Sequence, residues 1–332
     1  MNVKSVVLVA VVAVVINVMA TPVIQNIVVK QRFPWNGLVD IKCKVVGIEK
    51  SAQYKFYVEA VLPDEGITNE VSQFWVVQNG TKQSNYKVTE NGDYSLVWDA
   101  KAGLGTIRCT NMVVSVGLKD GRDKVQLWEG GPYWATTNIG AENPEDVGYY
   151  FWWGDIVGYK YENNKCVASD GTITNFRFIL RNAPTFNKGA SELKSEGWVT
   201  SDYVLAPEHD AASVQWGNGW RMPTKDELSA LSSNCDWTFV TQRDESGLLF
   251  ACGNIIRGRG AYASNSIFLP VSGYVSDEYR SLGFNGKYWS SVMYAGYSEA
   301  YNLEFTSDDH HMVYHSGRQT GYTIRPVMGF AE

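Results

Sequence analysis

The sequence predicts a mostly β chain with a few short helices, divided into two domains. Residues 22 to about 120 alternate apolar and polar side chains with a period of two, the signature of half-buried strands. Tryptophan (12), tyrosine (19) and glycine (31) are plentiful, which favours short strands and turns over long helices. The roughly 310 residues that follow the N-terminal apolar run fit two domains on length alone.

The chain opens MNVKSVVLVAVVAVVINVMATP. Lys4 precedes an unbroken apolar run from Val6 to Ile16, and the small residues Val18 and Ala20 follow. At about 11 residues the run is too short to span the hydrocarbon core as a helix. It has the length and flanks of a secretory signal cleaved after Ala20, so residues 1–20 read as a signal peptide, with an uncleaved anchor as the alternative. No second long apolar run appears. The mature chain is expected to be exported and soluble, without stable membrane insertion. Loss of Lys4 leaves 28 Lys and Arg against 35 Asp and Glu, a net charge of −7. An acidic chain without a basic run makes a poor partner for nucleic acid or anionic membrane.

Residues 21–120 read as a β-sandwich. In GLVDIKCKVVG, Val39, Ile41, Cys43 and Val45 share one face while Asp40, Lys42 and Lys44 share the other. QYKFYVEAVL, DYSLVWDA and NMVVSVGLKD repeat the pattern with Tyr54/Phe56/Val58, Tyr94/Leu96/Trp98 and Met112/Val114/Val116/Leu118. Turn-rich LPDEG, QNGTKQ and TENGD separate them. Several short strands in about 100 residues suit a small sandwich. Nothing in this half groups catalytic side chains, so it reads as a spacer or interaction module. The polar, glycine-rich stretch 121–131 reads as the linker, and 132–329 as the second domain.

Two helices are expected in the second domain. In RMPTKDELSALSSN, Thr224 followed three residues later by Glu227 forms a capping box, with Leu228 and Leu231 on one side. NKGASELKSEGW gives a shorter helix ended by Gly197. Trp220 and Met222 are expected to bury, Pro223 sets the chain before the cap, and Arg221 bridges carbonyls or a carboxylate. The five cysteines form no C-x-x-C and no zinc-finger spacing. Cys235 and Cys252 flank a predicted hairpin and could pair across it; the alternative is five small buried thiols.

WATTNIGAENPEDVGYYFWWGD, APEHDAASVQWGNGWRMPTKDELSAL, NSIFLPVSGYVSD, GKYWSSV and GYTIRPV occur in that order across about 127–329. Together they resemble the Fibrobacter succinogenes major paralogous domain, a family of exported bacterial proteins. That family is similar to the C-type-lectin-like fold of formylglycine-generating enzymes. FPWNGLVDI and YSLVWDA resemble the Ig/fibronectin-like sandwich found ahead of such domains. The resemblance implies a secreted, cell-surface or periplasmic protein. It also implies that GYTIRPV is the final core strand, with Arg325 a structural pairing residue.

Kinship with formylglycine-generating enzymes brings no activity with it. Those enzymes hold copper with a late pair of cysteines, and no cysteine follows Cys252. A soft metal needs such thiolates. There is no serine elbow, H-E-x-x-H, P-loop or dinucleotide fingerprint. Calcium-dependent lectins of this fold use E-P-N or Q-P-D with W-N-D, and none of these triplets is present; ENPED and WWGD are only loosely similar. No cofactor and no catalytic activity are therefore expected.

Three of the four histidines fall in DDHHMVYH, residues 308–315. His311 and His315 share a face with Asp309 if the segment is a strand, yet the spacing does not by itself define a metal site. In YNLEF, Tyr301, Leu303 and Phe305 are expected to pack while Asn302 and Glu304 face solvent, as does the following Thr306. Segment 292–320 is polar, aromatic and rich in hydrogen-bonding groups, the make-up of an adaptable binding surface. In this fold the late segment is often the ligand-facing one. The expected contact residues are thus Tyr294, Tyr297, Asp308, His310, His311, Tyr314, His315 and Arg318, recognising an extracellular glycan or protein. An enzyme of the formylglycine-generating type and a fimbria-like structural component are the alternatives. His311→Ala is expected to leave the thermal unfolding midpoint unchanged; a large drop reversed by added metal would make the cluster a metal site.

Overall fold

The protein is described by a computed structural model. The structure describes residues 22–33, 36–48, 52–62, 67–71, 73–104, 112–162, 165–174, 183–243, 249–276, 279–280, 283–294, 298–307 and 313–329. Residues 1–20, read as a signal peptide, and Cys109, Tyr297, Asp308, His310 and His311 lie outside the described residues. The chain is mostly β with few short helices. It divides into two compact units, Met1–Arg122 and Asp123–Glu332.

In the first unit the alternating segments form strands β1 (Val23–Gln31), β2 (Leu38–Val46), β3 (Tyr54–Leu62), β4 (Ile67–Glu70), β5 (Phe74–Gln78), β6 (Thr81–Gln83), β7 (Gly92–Asp99) and β8 (Val113–Asp120), with a five-residue helix α1 (Ala100–Leu104). They make two antiparallel sheets, in the orders β1-β2-β7-β5-β6 and β4-β3-β8. Ile41, Val45, Leu96 and Trp98 of one sheet and Val58 and Ala60 of the other are fully buried in one shared core. Two sheets that pool their apolar faces in this way explain the period of two. Each strand shows one face to its partner sheet and the other to water.

The described residues of the second unit form five small sheets. Strands β9 (Lys124–Gln126), β10 (Tyr133–Ala135), β14 (Trp220–Arg221) and β23 (Val327–Met328) join in the order β14-β23-β10-β9. β11 (Tyr159–Glu162), β12 (Lys165–Ala168) and β13 (Ile173–Thr174) form a meander, and so do β15 (Asp236–Arg243), β16 (Leu249–Arg257) and β17 (Ser266–Pro270). β18 (Tyr274–Val275) pairs with β19 (Tyr279–Arg280). β20 (Gly286–Tyr294), β21 (Glu299–Phe305) and β22 (Val313–Gly317) form the last sheet. Its described residues include the α-helices α2 (Ala190–Ser195), α3 (Ala211–Trp216) and α4 (Lys225–Asn234).

Local chemistry accounts for the helices. Thr224 Oγ1 accepts from Glu227 N at 3.2 Å while Glu227 Oε2 accepts from Thr224 N at 2.8 Å, so the capping box closes in both directions. Arg221 adds a 2.5 Å ion pair to the buried Glu227, and Leu228 and Leu231 are buried behind it. Pro223, also buried, accepts from Ser291 N at 2.8 Å and so fixes the helix start against β20. Gly197, at φ +80°, follows α2. Helix α3 was not anticipated. Asp210, 4% exposed, caps it by accepting from Ala212 and Ser213, and also accepts from Met222 N at 2.8 Å, which ties the helix to β14. Trp220 and Met222 are buried beside it.

Three expectations need correction. The linker read at 121–131 is structured: β9 pairs with β10, and Leu127 is fully buried. GYTIRPV is buried, but only its last residue, Val327, lies in a ladder, that of β23. Gly321, Tyr322 and Thr323 bridge singly to Val275, Phe151 and Tyr288, and the last strand is β23. Cys235 and Cys252 are both free and do not face each other. The hairpin register sets Cys252 opposite Thr241, while Cys235 precedes the whole ladder. Alternation alone could not fix that register, because it depends on how far the turn extends.

Arg325 lies at the centre of the second unit, 1% exposed. Its guanidinium donates to Asn138 Oδ1 at 2.8 Å, to the carbonyls of Ala135 and Thr136 at 3.1 Å each, and to Phe268 O at 2.9 Å. Asn138 in turn donates to Val147 O at 2.9 Å. Arg325→Met is expected to cost at least about 3 kcal/mol, because each buried acceptor left orphaned costs about 1–3 kcal/mol. Thr224→Ala should cost only about 1 kcal/mol, the ordinary worth of one helix cap. Urea denaturation of both variants checks the order; equal losses would show that Arg325 is not the centre of the network.

A candidate recognition surface on the last sheet

Sheet β20-β21-β22 has one face divided between core and solvent. Cross-strand pairing places Tyr288, Leu303 and Val313 side by side, then Tyr301 opposite His315, then Glu299 opposite Tyr294. Residues at alternate positions share a face, so all of these lie on one side. Leu303 and Phe305 pack into the same core as Leu228 and Leu231 of α4. The helix begins at Lys225, and past its first residue the same face opens. Lys225 Nζ stands 5.0 Å from the Tyr301 ring centroid, at the border between covered and uncovered sheet.

On the uncovered part, Tyr294 stacks on His315 with centroids 4.0 Å apart and planes 9° from parallel. Tyr301 meets Tyr294 edge-on at 5.5 Å and His315 at 6.5 Å. His315 Nδ1 contacts Glu299 Oε2 at 2.6 Å, with side chains 44% and 31% exposed. An ionised carboxylate only accepts, so Nδ1 carries the hydrogen and Nε2 remains for another partner. The result is an ordered, half-exposed patch of two phenols and one imidazole, with a cation at one border and a carboxylate at another. It offers apolar ring faces for stacking and several polar tips for hydrogen bonds.

The predicted contact residues separate on this frame. Tyr294 and His315 belong to the patch, and Tyr314 is 51% exposed on the opposite face of β22. Arg318 is a correction: it is fully buried, with its guanidinium 5.6 Å from the Trp153 ring centroid, and offers nothing to a ligand at the surface. Asn302 is another, being fully buried rather than solvent-facing. Tyr301, Glu299 and Lys225 were not assigned as contacts. Glu299 shares the period-two face of Tyr301, a signal available in the sequence. Tyr301 was read as packing because Leu303 and Phe305 pack, and only the position where α4 begins separates it from them. Trp220, Pro223, Thr224, Glu227 and Arg325 all lie in the framework described above, as does Arg221, whose guanidinium also donates to Gly329 O at 3.0 Å.

The calcium-like stretches are internally engaged. Asp146 Oδ2 accepts from Asn143 N at 2.8 Å, closing a turn within ENPED. In WWGD, Gly154 takes φ +82°, and a Cβ there would meet Thr185 Cγ2 at 2.7 Å, so only glycine suits the bend. Asp155 next to it accepts from Val157 N at 2.9 Å and from the Tyr159 hydroxyl at 3.4 Å. Among the described residues no group of three or more His, Cys, Asp or Glu is placed to hold a metal ion. Burial pushes the thiols of Cys166 and Cys235 up to about 11 and that of Cys43 to about 12. These thiols stay protonated at neutral pH, unlike a thiolate nucleophile or soft-metal ligand.

Comparison of the chain with protein-family models, with curated proteins and with solved structures finds no match.

Burial raises the Asp155 carboxyl to about 6, the hydrogen bond from Val157 opposing it in part. The unfolded chain releases this proton near the usual carboxylate value and the folded chain holds it longer. The group therefore favours folding at low pH, and that advantage is lost as pH rises from about 4 to about 6. Asp155→Asn is expected to flatten stability across this window and to be more stable than the parent at pH 7 by about 1–2 kcal/mol. Denaturant titrations at pH 4 and pH 7 measure it; an equal difference at both values would refute the assignment.

Proposed function

We propose that this chain is an exported, non-catalytic ligand-recognition or adhesion protein. Its second unit is read as a C-type-lectin-like domain of the Fibrobacter succinogenes major paralogous type, and its first as an Ig/fibronectin-like sandwich that spaces or presents it. The observation that carries the reading is the Tyr294–Tyr301–His315–Glu299 patch. The partly exposed rings stand in mutual order, held in the open by a hydrogen bond between His315 and Glu299 and by the stack on Tyr294. Such pre-ordering lowers the entropy lost when a partner binds.

Two further features support it. The motif residues Trp134, Trp152, Trp153, Trp220, Trp289 and Arg325 are all fully buried, so they serve the framework and leave recognition to the exposed segment. The buried thiols of Cys43, Cys166 and Cys235 have the chemistry of packed side chains, which speaks against an enzyme of the formylglycine-generating type. The partner is read as a glycan or a protein met outside the cell, held by stacking on the rings and by hydrogen bonds to His315, Glu299 and Lys225.

The test is a binding screen of the full chain against arrayed glycans and host or bacterial surface proteins, with and without EDTA. A ligand is expected whose affinity falls at least tenfold in both Tyr301→Ala and His315→Ala and does not respond to EDTA. These variants should keep the parent's unfolding midpoint, because they stand on the open part of the face. Binding abolished by EDTA, or indifferent to both substitutions, would overturn the proposal. Self-assembly of the purified chain without any binder would favour a structural component instead.

A further inference from the structure

Two arginines of the second unit are fully buried without a carboxylate partner, and they differ in one respect. Arg325 is surrounded by acceptors, as described above. Arg318 has one: its Nη2 donates to Lys188 O. Its Nε and Nη1 are buried and make no hydrogen bond. The Trp153 ring faces the guanidinium but accepts no conventional hydrogen bond from it. Lys188, whose carbonyl Arg318 meets, pairs its own Nζ with Glu192 at 3.6 Å and with Glu196. The backbone around Arg318 is fixed as well. Its N–H donates to Ser298 O at 3.0 Å, and its carbonyl accepts from Trp153 N at 3.3 Å.

A guanidinium cannot shed its charge at neutral pH, so burial without a counter-charge and with two open donors calls for an acceptor. We propose that Arg318 is the seat of a buried site for a small monovalent anion of the chloride class, lodged between the end of β22, Trp153 and the chain just before α2. The ligand is small because the side chain is fully buried. It is taken as monoatomic on size alone, and such an ion needs a donor from only one of the two unpartnered nitrogens, Nε or Nη1. The site is separate from the aromatic patch and would serve to lock β22, which carries His315, against the core.

The test is thermal unfolding of the full chain at constant ionic strength, with chloride exchanged for gluconate, which is too large to enter. The parent is expected to gain stability with chloride and to saturate only at the mass-action limit, about tenfold in the folding equilibrium per tenfold chloride above the dissociation constant. Arg318→Met, apolar and of similar reach, should fold and ignore the exchange. An equal response in parent and variant, or none in the parent, would mean that water alone solvates Arg318. Should Arg318→Met fail to fold, crystals of the parent grown in bromide decide the matter. An anomalous peak within reach of Arg318 Nε or Nη1 supports the site, and its absence there overturns it.

Discussion

The second unit depends on one buried cation whose charge is met entirely by neutral oxygens. Arg325 joins the segment around Ala135–Asn138, the middle of β17 and its own C-terminal chain, which lie far apart in sequence. Burial lowers its pKa to about 10, yet it remains charged at any physiological pH. Each hydrogen bond from a charged donor is worth more than a neutral one, and each carbonyl it serves would otherwise be a buried orphan. Among the described residues the small sheets of this unit are tied by single bridges such as Val275 to Gly321 and Tyr288 to Thr323, and side chains of this kind add to the joining. Asp210 does the same on a smaller scale, serving three backbone amides from two elements.

The candidate surface follows from how this frame ends. Helix α4 covers one half of a sheet face and stops, because Thr224 and Glu227 cap it there and Pro223 is bonded to β20. Beyond the cap the strands continue uncovered, and the alternation that buried Leu303 and Phe305 presents Tyr301. The patch is then organised by its own contacts, with Glu299 orienting His315 and His315 lying flat on Tyr294. Recognition is thus read from an arrangement in which fixed strands hold the rings while the tips stay accessible.

Much of the fold was legible in the sequence. The period of two gave β2, β3, β7 and β8 with their buried faces, and the Thr224–Glu227 spacing gave the start of α4. Less was legible wherever distant segments meet. The disulfide idea failed because hairpin register is set by the turn, and only the end of GYTIRPV, at Val327, is strand, because the neighbours of its first three residues offer separate bridges in place of one ladder. Of the expected contact residues, Tyr294 and His315 stand on the candidate patch and Arg318 is buried, while Glu299, Tyr301 and Lys225 of the patch were not expected as contacts.

What the sequence by itself determined is local: which residues alternate, where helices are capped, and which glycines must bend, since these depend on interactions within a few residues. What only the tertiary structure decided is exposure. Tyr301 and Leu303 occupy equivalent positions on one strand, and Arg318 and Arg325 are chemically identical. One member of each pair differs from the other solely through what another part of the chain lays over it, because burial is a property of the assembled neighbours and not of the residue.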